Sequence, residues 1–166
     1  MEVQEQNRTN GDGCPCAASQ RFPRGGMKRC KRDTVFSQLV RERSNWTCER
    51  CGCYVPEGER QRLHCSHIVS RKYRRLRWEP INAVAHCAMC HSHLTDRPHE
   101  FGRWVDEKLG RSVSDRLSEL SQPIGKYSKP QLEDIYQNLK SSLKQIEMQR
   151  ADGITGRIDF ESPYGS

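Results

Sequence analysis

Two cysteine pairs, Cys48-x-x-Cys51 and Cys87-x-x-Cys90, constrain this chain more than any other feature of its sequence. Each spacing puts two sulfurs on one side of a tight turn, and four thiolates about 2.3 Å from a common centre complete tetrahedral zinc. A closed shell of that kind is structural, because no coordination position is left for a reactant. The competing reading is that one pair is coincidental and its thiols are free core residues. The stretch between the pairs is longer than in a simple zinc ribbon. It must form an element of its own, anchored at both ends by the metal. The need for such a staple is visible in the composition: 34% hydrophobic against 30% charged residues leaves only a small core.

Nine cysteines are present, an odd number. The N-terminal run MEVQEQNRTNGDG is polar, so it does not read as a secretory signal. No stretch approaches the roughly 18 consecutive apolar residues of a membrane span. Together these point to a reducing, cytoplasmic setting with free or metal-bound thiols, to no secretion and to no membrane partner. Cys53 and Cys65 are surplus to the four ligands, with Cys65 expected to turn inward on a strand as a buried apolar thiol. Cys14, Cys16 and Cys30 lie in or beside the N-terminal arm and carry no assignment.

Residues 1–30 lack periodicity and are expected to form a disordered basic arm, with Met27 a second candidate start. Asp33 reads as an N-cap, followed by Val35, Phe36, Leu39 and Val40 at helical spacing up to about Arg43. Leu63 to Val69 reads as the first strand of a hairpin and Asn82 to His86 as its return, with a helix over Cys87 to Thr95. Pro98 opens a helix that ends near Leu109, before Gly110. A short helix over 112–121 and a long one from Pro130 to about Met148 follow. The long helix, apolar at Leu132, Ile135, Tyr136, Leu139, Leu143 and Ile146, packs on the core or on a partner, including a second copy of the chain. Residues 151–166 read as a loose tail. The expected class is α+β: a small zinc-stabilised hairpin-and-helix unit over 31–110, flanking helices, and a helical extension over 111–150.

Three residues fall in a telling order between and after the pairs: His67, Asn82 and His91. Hydrolysing a phosphodiester needs a base to activate water, a cation to stabilise developing charge and groups that hold both in place. A histidine at a strand end can be the base, one on the first turn of the facing helix can bind a divalent ion, and an Asn between them can brace the loop. The plain alternative is that both histidines are structural, or that one replaces a zinc thiolate.

The run LHCSHIVSRKYRRLRWEPINAVAHCAMCHSHL resembles the HNH nucleases of the ββα-metal fold. Within that group it is most similar to the phage recombination nucleases of the NinG (Rap) type, and more distantly to the endonuclease VII resolvases. The likeness covers about Cys48 to Trp104. It implies His67 as general base, Asn82 as the loop brace and His91 as a ligand of a catalytic Mg²⁺ or Mn²⁺, alongside structural Zn²⁺ at Cys48, Cys51, Cys87 and Cys90. It also implies DNA as substrate, in recombination or processing of phage or prophage DNA. One position departs: many HNH enzymes carry Asp or His immediately before the base, and here Ser66 stands there. His64 and His93 are the candidates for the missing ligand. His86 and His99 read as packing or surface residues.

The formal net charge of +7 favours polyanions. Arg71, Lys72, Arg74, Arg75 and Arg77 crowd the hairpin connection, where they are expected to grip phosphates beside the cut. Lys28, Arg29, Lys31 and Arg32 form a second basic cluster. Neither run contains a base-reading pattern, so the expected recognition is of DNA shape, with branched DNA and a homodimer as possible forms. A non-catalytic zinc-finger DNA-binding protein and an RNA-directed member of the fold are the competing readings.

Overall fold

A computed structural model describes residues 28–165. Cys14, Cys16 and nearly all of the expected arm lie outside the described residues. The order of elements is α1 (Lys31–Arg43), β1 (Leu63–His67), two 3₁₀ turns (Arg74–Leu76 and Pro80–Asn82), β2 (Ala83–Cys87), α2 (Ala88–Asp96), α3 (Pro98–Leu109), α4 (Arg111–Leu120) and α5 (Lys129–Ala151). Among the described residues the class is α+β, five helices with one two-stranded sheet. None of these helices is long and apolar enough to cross a membrane.

The strands pair antiparallel, with His64 opposite His86 and His67 opposite Ala83. Alternation splits the hairpin into two faces. Leu63, Cys65, Ala83, Ala85 and Cys87 join the main core with Phe36, Leu39 and Val40 of α1. His64, Ser66, Val84 and His86 face the other way, where His64 meets α2 and His86 meets α3. A hairpin alone is marginal in water, and helices on both faces bury it.

Helix α1 begins two residues before Asp33. Asp33 is therefore an N3 residue rather than the N-cap, and its Oδ2 accepts the Cys30 backbone N–H at 2.8 Å. The side chain does more than cap. It also receives Arg77 Nε at 2.9 Å, Arg77 Nη2 at 2.7 Å and Trp78 Nε1 at 2.9 Å. Burial opposes its ionisation, yet these donors outweigh that and hold the carboxyl well below the usual carboxylate range.

The other end of α1 stops through a Schellman arrangement, Trp46 N–H to Arg41 O at 2.9 Å and Asn45 N–H to Glu42 O at 3.0 Å. It uses left-handed backbone at Asn45 (φ 51°) and at Trp46 (φ 55°), conformations that cost a residue with a side chain on the order of 1–2 kcal/mol each. Burial of the indole and its Nε1–H bond to Glu42 at 3.0 Å offset that cost. Two buried guanidinium groups in the last turn then reach the sheet. Arg41 donates to Leu63 O at the start of β1, and Arg43 donates to Ala83 O at the start of β2. One helix thereby sets the position of both strands.

Helix α5 lays Ile135, Leu139 and Ile146 into the main core against α1, so its apolar stripe packs within the chain. The segment after it has no helix or strand but is not loose. Ile158, Phe160 and Tyr164 pack on the core, Arg157 pairs with Glu49 at 2.5 Å, and Tyr164 Oη donates to Arg74 O at 2.8 Å. The expectation of a loose tail missed this because a short Gly- and Pro-containing segment shows no periodicity to read.

Replacing Asp33 by Ala strands a half-buried Arg77 guanidinium and the buried Trp78 N–H together. The variant is expected to lose about 3 kcal/mol of unfolding free energy in urea denaturation, the scale for breaking a buried charged network. A loss below about 1 kcal/mol would contradict this account.

Candidate metal centre and histidine sites

The first cysteine pair sits on a knuckle shaped by its own backbone. Cys48 N–H reaches Cys53 O at 2.8 Å, and Gly52 N–H reaches Cys48 O at 2.9 Å. Gly52, at φ 73°, takes the left-handed step that closes the turn. Glu49, inside the knuckle, zips it to β2: its N–H bonds Ala85 O at 2.8 Å, and its carboxylate accepts Ala85 N–H at 2.9 Å. The second pair follows directly, with Cys87 ending β2 and Cys90 on the first turn of α2.

The result brings one sulfur from each of Cys48, Cys51, Cys87 and Cys90 within 4.8 Å of one another. A tetrahedron with arms of about 2.3 Å has edges of about 3.8 Å. The Cys51 and Cys87 sulfurs lie 3.8 Å apart. The donor set is thiolate only, which selects zinc or a similarly soft ion. Crowding opposes joint ionisation of the four thiols. Hydrogen bonds from Cys87 and Cys90 hold the Cys48 thiol far below its ordinary value, whereas burial and the neighbouring charge push Cys51 up to about 12. Donation to Cys48 and Cys87 drives Cys90 upward as well. Four thiolates can share this space only if a positive ion neutralises them. The four cysteines could hold a structural metal ion. Cys53 and Cys65 lie outside the group, and Cys65 is a half-buried thiol on the core side, pushed up to about 11 by burial.

His67, the last residue of β1, turns toward α1, with its ring 5.8 Å from that of Phe36. Its Nε2 lies 3.0 Å from Arg77 O. A carbonyl can only accept, so Nε2 carries the proton and Nδ1 keeps its lone pair. Burial lowers its pKa to about 4, the Arg77 carbonyl opposing and Arg71 assisting. The imidazole is therefore neutral at physiological pH.

Asn82 is fully buried in the second 3₁₀ turn, just before β2 rather than within it. Its Oδ1 accepts Val69 N–H at 2.8 Å, while Nδ2 donates to Val69 O at 2.9 Å and to Leu76 O at 2.8 Å. These three bonds close the basic connection onto the mouth of the hairpin. No smaller or purely aliphatic side chain could make them.

The remaining histidines lie on the opposite face. His91 stacks on His64 with ring centroids 4.7 Å apart, and its Nδ1 is buried without a hydrogen-bond partner. Burial lowers both pKa values, that of His64 to about 4 with help from His91. Two neutral imidazoles side by side suit a nitrogen-preferring ion. Mg²⁺ and Mn²⁺ prefer oxygen ligands. The cysteine set is the one group of three or more ligand-type side chains gathered among the described residues. His93 is occupied on both nitrogens, by Glu100 at 2.8 Å and Arg97 at 3.0 Å, so in this arrangement it offers no lone pair to an ion. His86 is fully buried edge-on to Trp104 and Phe101, both nitrogens without partners, and His99 is exposed. Among the described residues, no hydrogen bond or ring contact joins His67 to His64 or His91. The base-like and the ligand-like histidines are thus held apart by the sheet.

No protein-family model matches this chain, and neither does a curated protein or a solved structure.

The basic connection is not one exposed run. Lys72, Arg74 and Arg75 are exposed and Arg71 is half-buried, but Arg77 is bound to both carboxylate oxygens of Asp33 through its Nε and Nη2. The sequence also hid the parts played by Glu49, Asp33 and Tyr164. Each acts on residues far along the chain, and no local spacing marks such a partner.

Metal analysis of protein purified without added chelator is expected to find one zinc per chain. Its removal, or Cys87→Ser, is expected to abolish cooperative unfolding. A metal-free protein with unchanged unfolding would refute the closed shell. The depressed pKa of His67 also sets a pH dependence. Its value is near 6.5 unfolded and about 4 folded, so the stability it contributes is fully present above about pH 6.5 and is lost as pH falls through 4. His67→Gln is expected to flatten the fall in stability over that window relative to wild type. Parallel curves for the two proteins would show that His67 is not buried as a neutral group.

Proposed function

We propose that this protein is a metal-dependent DNA endonuclease with an HNH-type site, in which His67 is the general base. The observation that supports this best is the state of His67. It is a neutral imidazole, with one nitrogen fixed by a backbone carbonyl, at the foot of a basic loop braced by Asn82. In the proposed reaction Nδ1 takes a proton from water as the water oxygen attacks phosphorus, and the phosphodiester P–O bond to the leaving oxygen breaks. Arg71, Lys72, Arg74 and Arg75 hold flanking phosphates, and Asn82 keeps the loop in register with the base. A divalent ion would supply charge stabilisation on the phosphate and leaving oxygen; His91 and His64 would hold an ion only on the face of the hairpin opposite His67. The zinc takes no part in the chemistry. On this reading the activity serves phage or prophage DNA recombination or processing.

A second reading has a specific observation behind it. Ser66 supplies no carboxylate where HNH enzymes often have a metal ligand, and His67 and His91 sit on opposite faces of the hairpin. A protein that had kept the zinc-bound scaffold and the basic loop, but not the reaction, would look the same in these respects. It would bind DNA without cutting it.

The two readings separate in a nicking assay on supercoiled plasmid and on branched DNA with added Mg²⁺, Mn²⁺ or neither. The endonuclease reading predicts ion-dependent cleavage that falls by roughly 10²- to 10⁴-fold in His67→Ala, the usual worth of a positioned base, with DNA affinity little changed. Binding without cleavage under every ion would leave the binding protein as the correct reading.

A further inference from the structure

A cavity of about 480 Å³ opens between the start of α1, the 3₁₀ turn with the residues after it, and the segment leading into α5. That is the size of a small-ligand site. Six of its ten lining residues are Lys or Arg, and none is Asp or Glu. Arg77 is already neutralised by Asp33, but several of the other charges have no acidic partner. Lys28, Arg29, Arg74 and Lys126 are exposed and form no ion pair among the described residues. Arg74 gives one N–H to Ile124 O at 3.0 Å, which leaves its charge uncompensated. Arg32 donates weakly to Leu132 O at 3.4 Å. A concavity lined by cations without acidic partners, and by no carboxylate, favours an anion.

The rest of the wall is not polar. Trp78, Tyr127 and Leu132 supply it, with Tyr127 held in place by stacking on Tyr164 at 5.7 Å. Inorganic phosphate has no use for an apolar wall, whereas a nucleotide carries both a phosphate and a flat apolar face. A DNA duplex presents phosphates on a convex ridge with its bases stacked inside, so only an unpaired nucleotide can enter a cavity with both halves. Cationic grooves with aromatic walls are how proteins hold single strands. The cavity also adjoins the proposed base, because Arg77 lines it while the Arg77 carbonyl holds His67 Nε2.

We propose that this cavity receives one unpaired nucleotide of a DNA strand, its phosphate between Arg32, Arg74 and Lys126 and its base against Tyr127. This rests on the nucleic-acid reading above and narrows its substrate to DNA with a single-stranded portion, such as a flap, a branch or an end. The cavity then does what a duplex-gripping loop cannot: it selects a strand that is already out of the helix.

The test measures fluorescence anisotropy of a labelled oligothymidylate, and of the same strand annealed to its complement, titrated with the full zinc-loaded chain without added Mg²⁺ or Mn²⁺. The single strand is expected to bind roughly tenfold more tightly than the duplex. Lys126→Gln, an exposed change that leaves the core alone, and Tyr127→Leu should each weaken single-strand binding about five- to tenfold and move duplex binding less than about twofold. Equal affinity for single strand and duplex, or no change in single-strand binding in Lys126→Gln, would overturn the proposal. Thymidine monophosphate and inorganic phosphate serve as competitors. Displacement of the oligonucleotide by thymidine monophosphate at far lower concentration than by phosphate supports a nucleotide site. Equal displacement by the two marks a bare anion site and overturns it, as does binding of the monophosphate as tightly as the strand, which marks a free-nucleotide site. Because no cleavage is scored, the outcomes are separable. Single-strand preference in a protein that never cuts sinks the endonuclease reading and leaves the cavity standing, whereas cleavage without that preference does the reverse.

Discussion

Four sulfurs within 4.8 Å of one another cannot all ionise without a cation among them, and every other feature of the hairpin depends on how that conflict is settled. With an ion bound, the knuckle that carries Cys48 and Cys51 is joined to the end of β2 and the first turn of α2. The 35 residues between Cys51 and Cys87 become a closed loop with a fixed base. Such closure removes freedom mainly from the unfolded chain, which suits a protein whose core is too small to hold a two-stranded sheet by burial alone. Glu49 and Arg43 reinforce the joint from inside. Glu49 bonds β2 through its backbone and side chain, and Arg43 reaches both Glu49 and the first carbonyl of β2.

Once the hairpin is fixed, its alternation divides the chemistry. The core face carries His67 toward α1. The opposite face carries His64 and His86 toward α2 and α3, with His91 stacked on His64. The hairpin connection is then shaped from two sides, by the three hydrogen bonds of Asn82 beneath it and by the Asp33 grip on Arg77 and Trp78 beside it. Its cations consequently have different roles. Arg77 is structural, Arg74 leans into the cavity next to α5, and Lys72 and Arg75 are left to the solvent.

What could be read from the sequence was what local spacing encodes. The two cysteine pairs, the helix from Pro98 to Leu109 and the apolar stripe of the last helix all follow from periods of three or four residues or from a proline and a glycine at its ends. The structure places them as such. The edges were less legible. Asp33 looked like an N-cap because an acidic residue at N3 and one at N-cap leave similar traces, and Val69 looked like strand because it is β-branched. The long-range ties were not legible at all. Glu49 with Arg157, Trp78 with Tyr164, and the cavity lined from three separate segments each join residues that no spacing relates. The order His67, Asn82, His91 suggested a single constellation. The fold distributes it over two faces, because a strand reverses its direction of display at every residue.

The state of His67 is where the account is most exposed. Nitrogen-15 NMR of the zinc-loaded protein, with the imidazole titrated from neutral pH downward, reads its tautomer and its pKa together. The account predicts a single tautomer with the proton on Nε2, persisting until protonation near pH 4. A ring that exchanges between tautomers and titrates near 6.5 would mean that Arg77 does not hold it. The neutral, oriented base would then not exist.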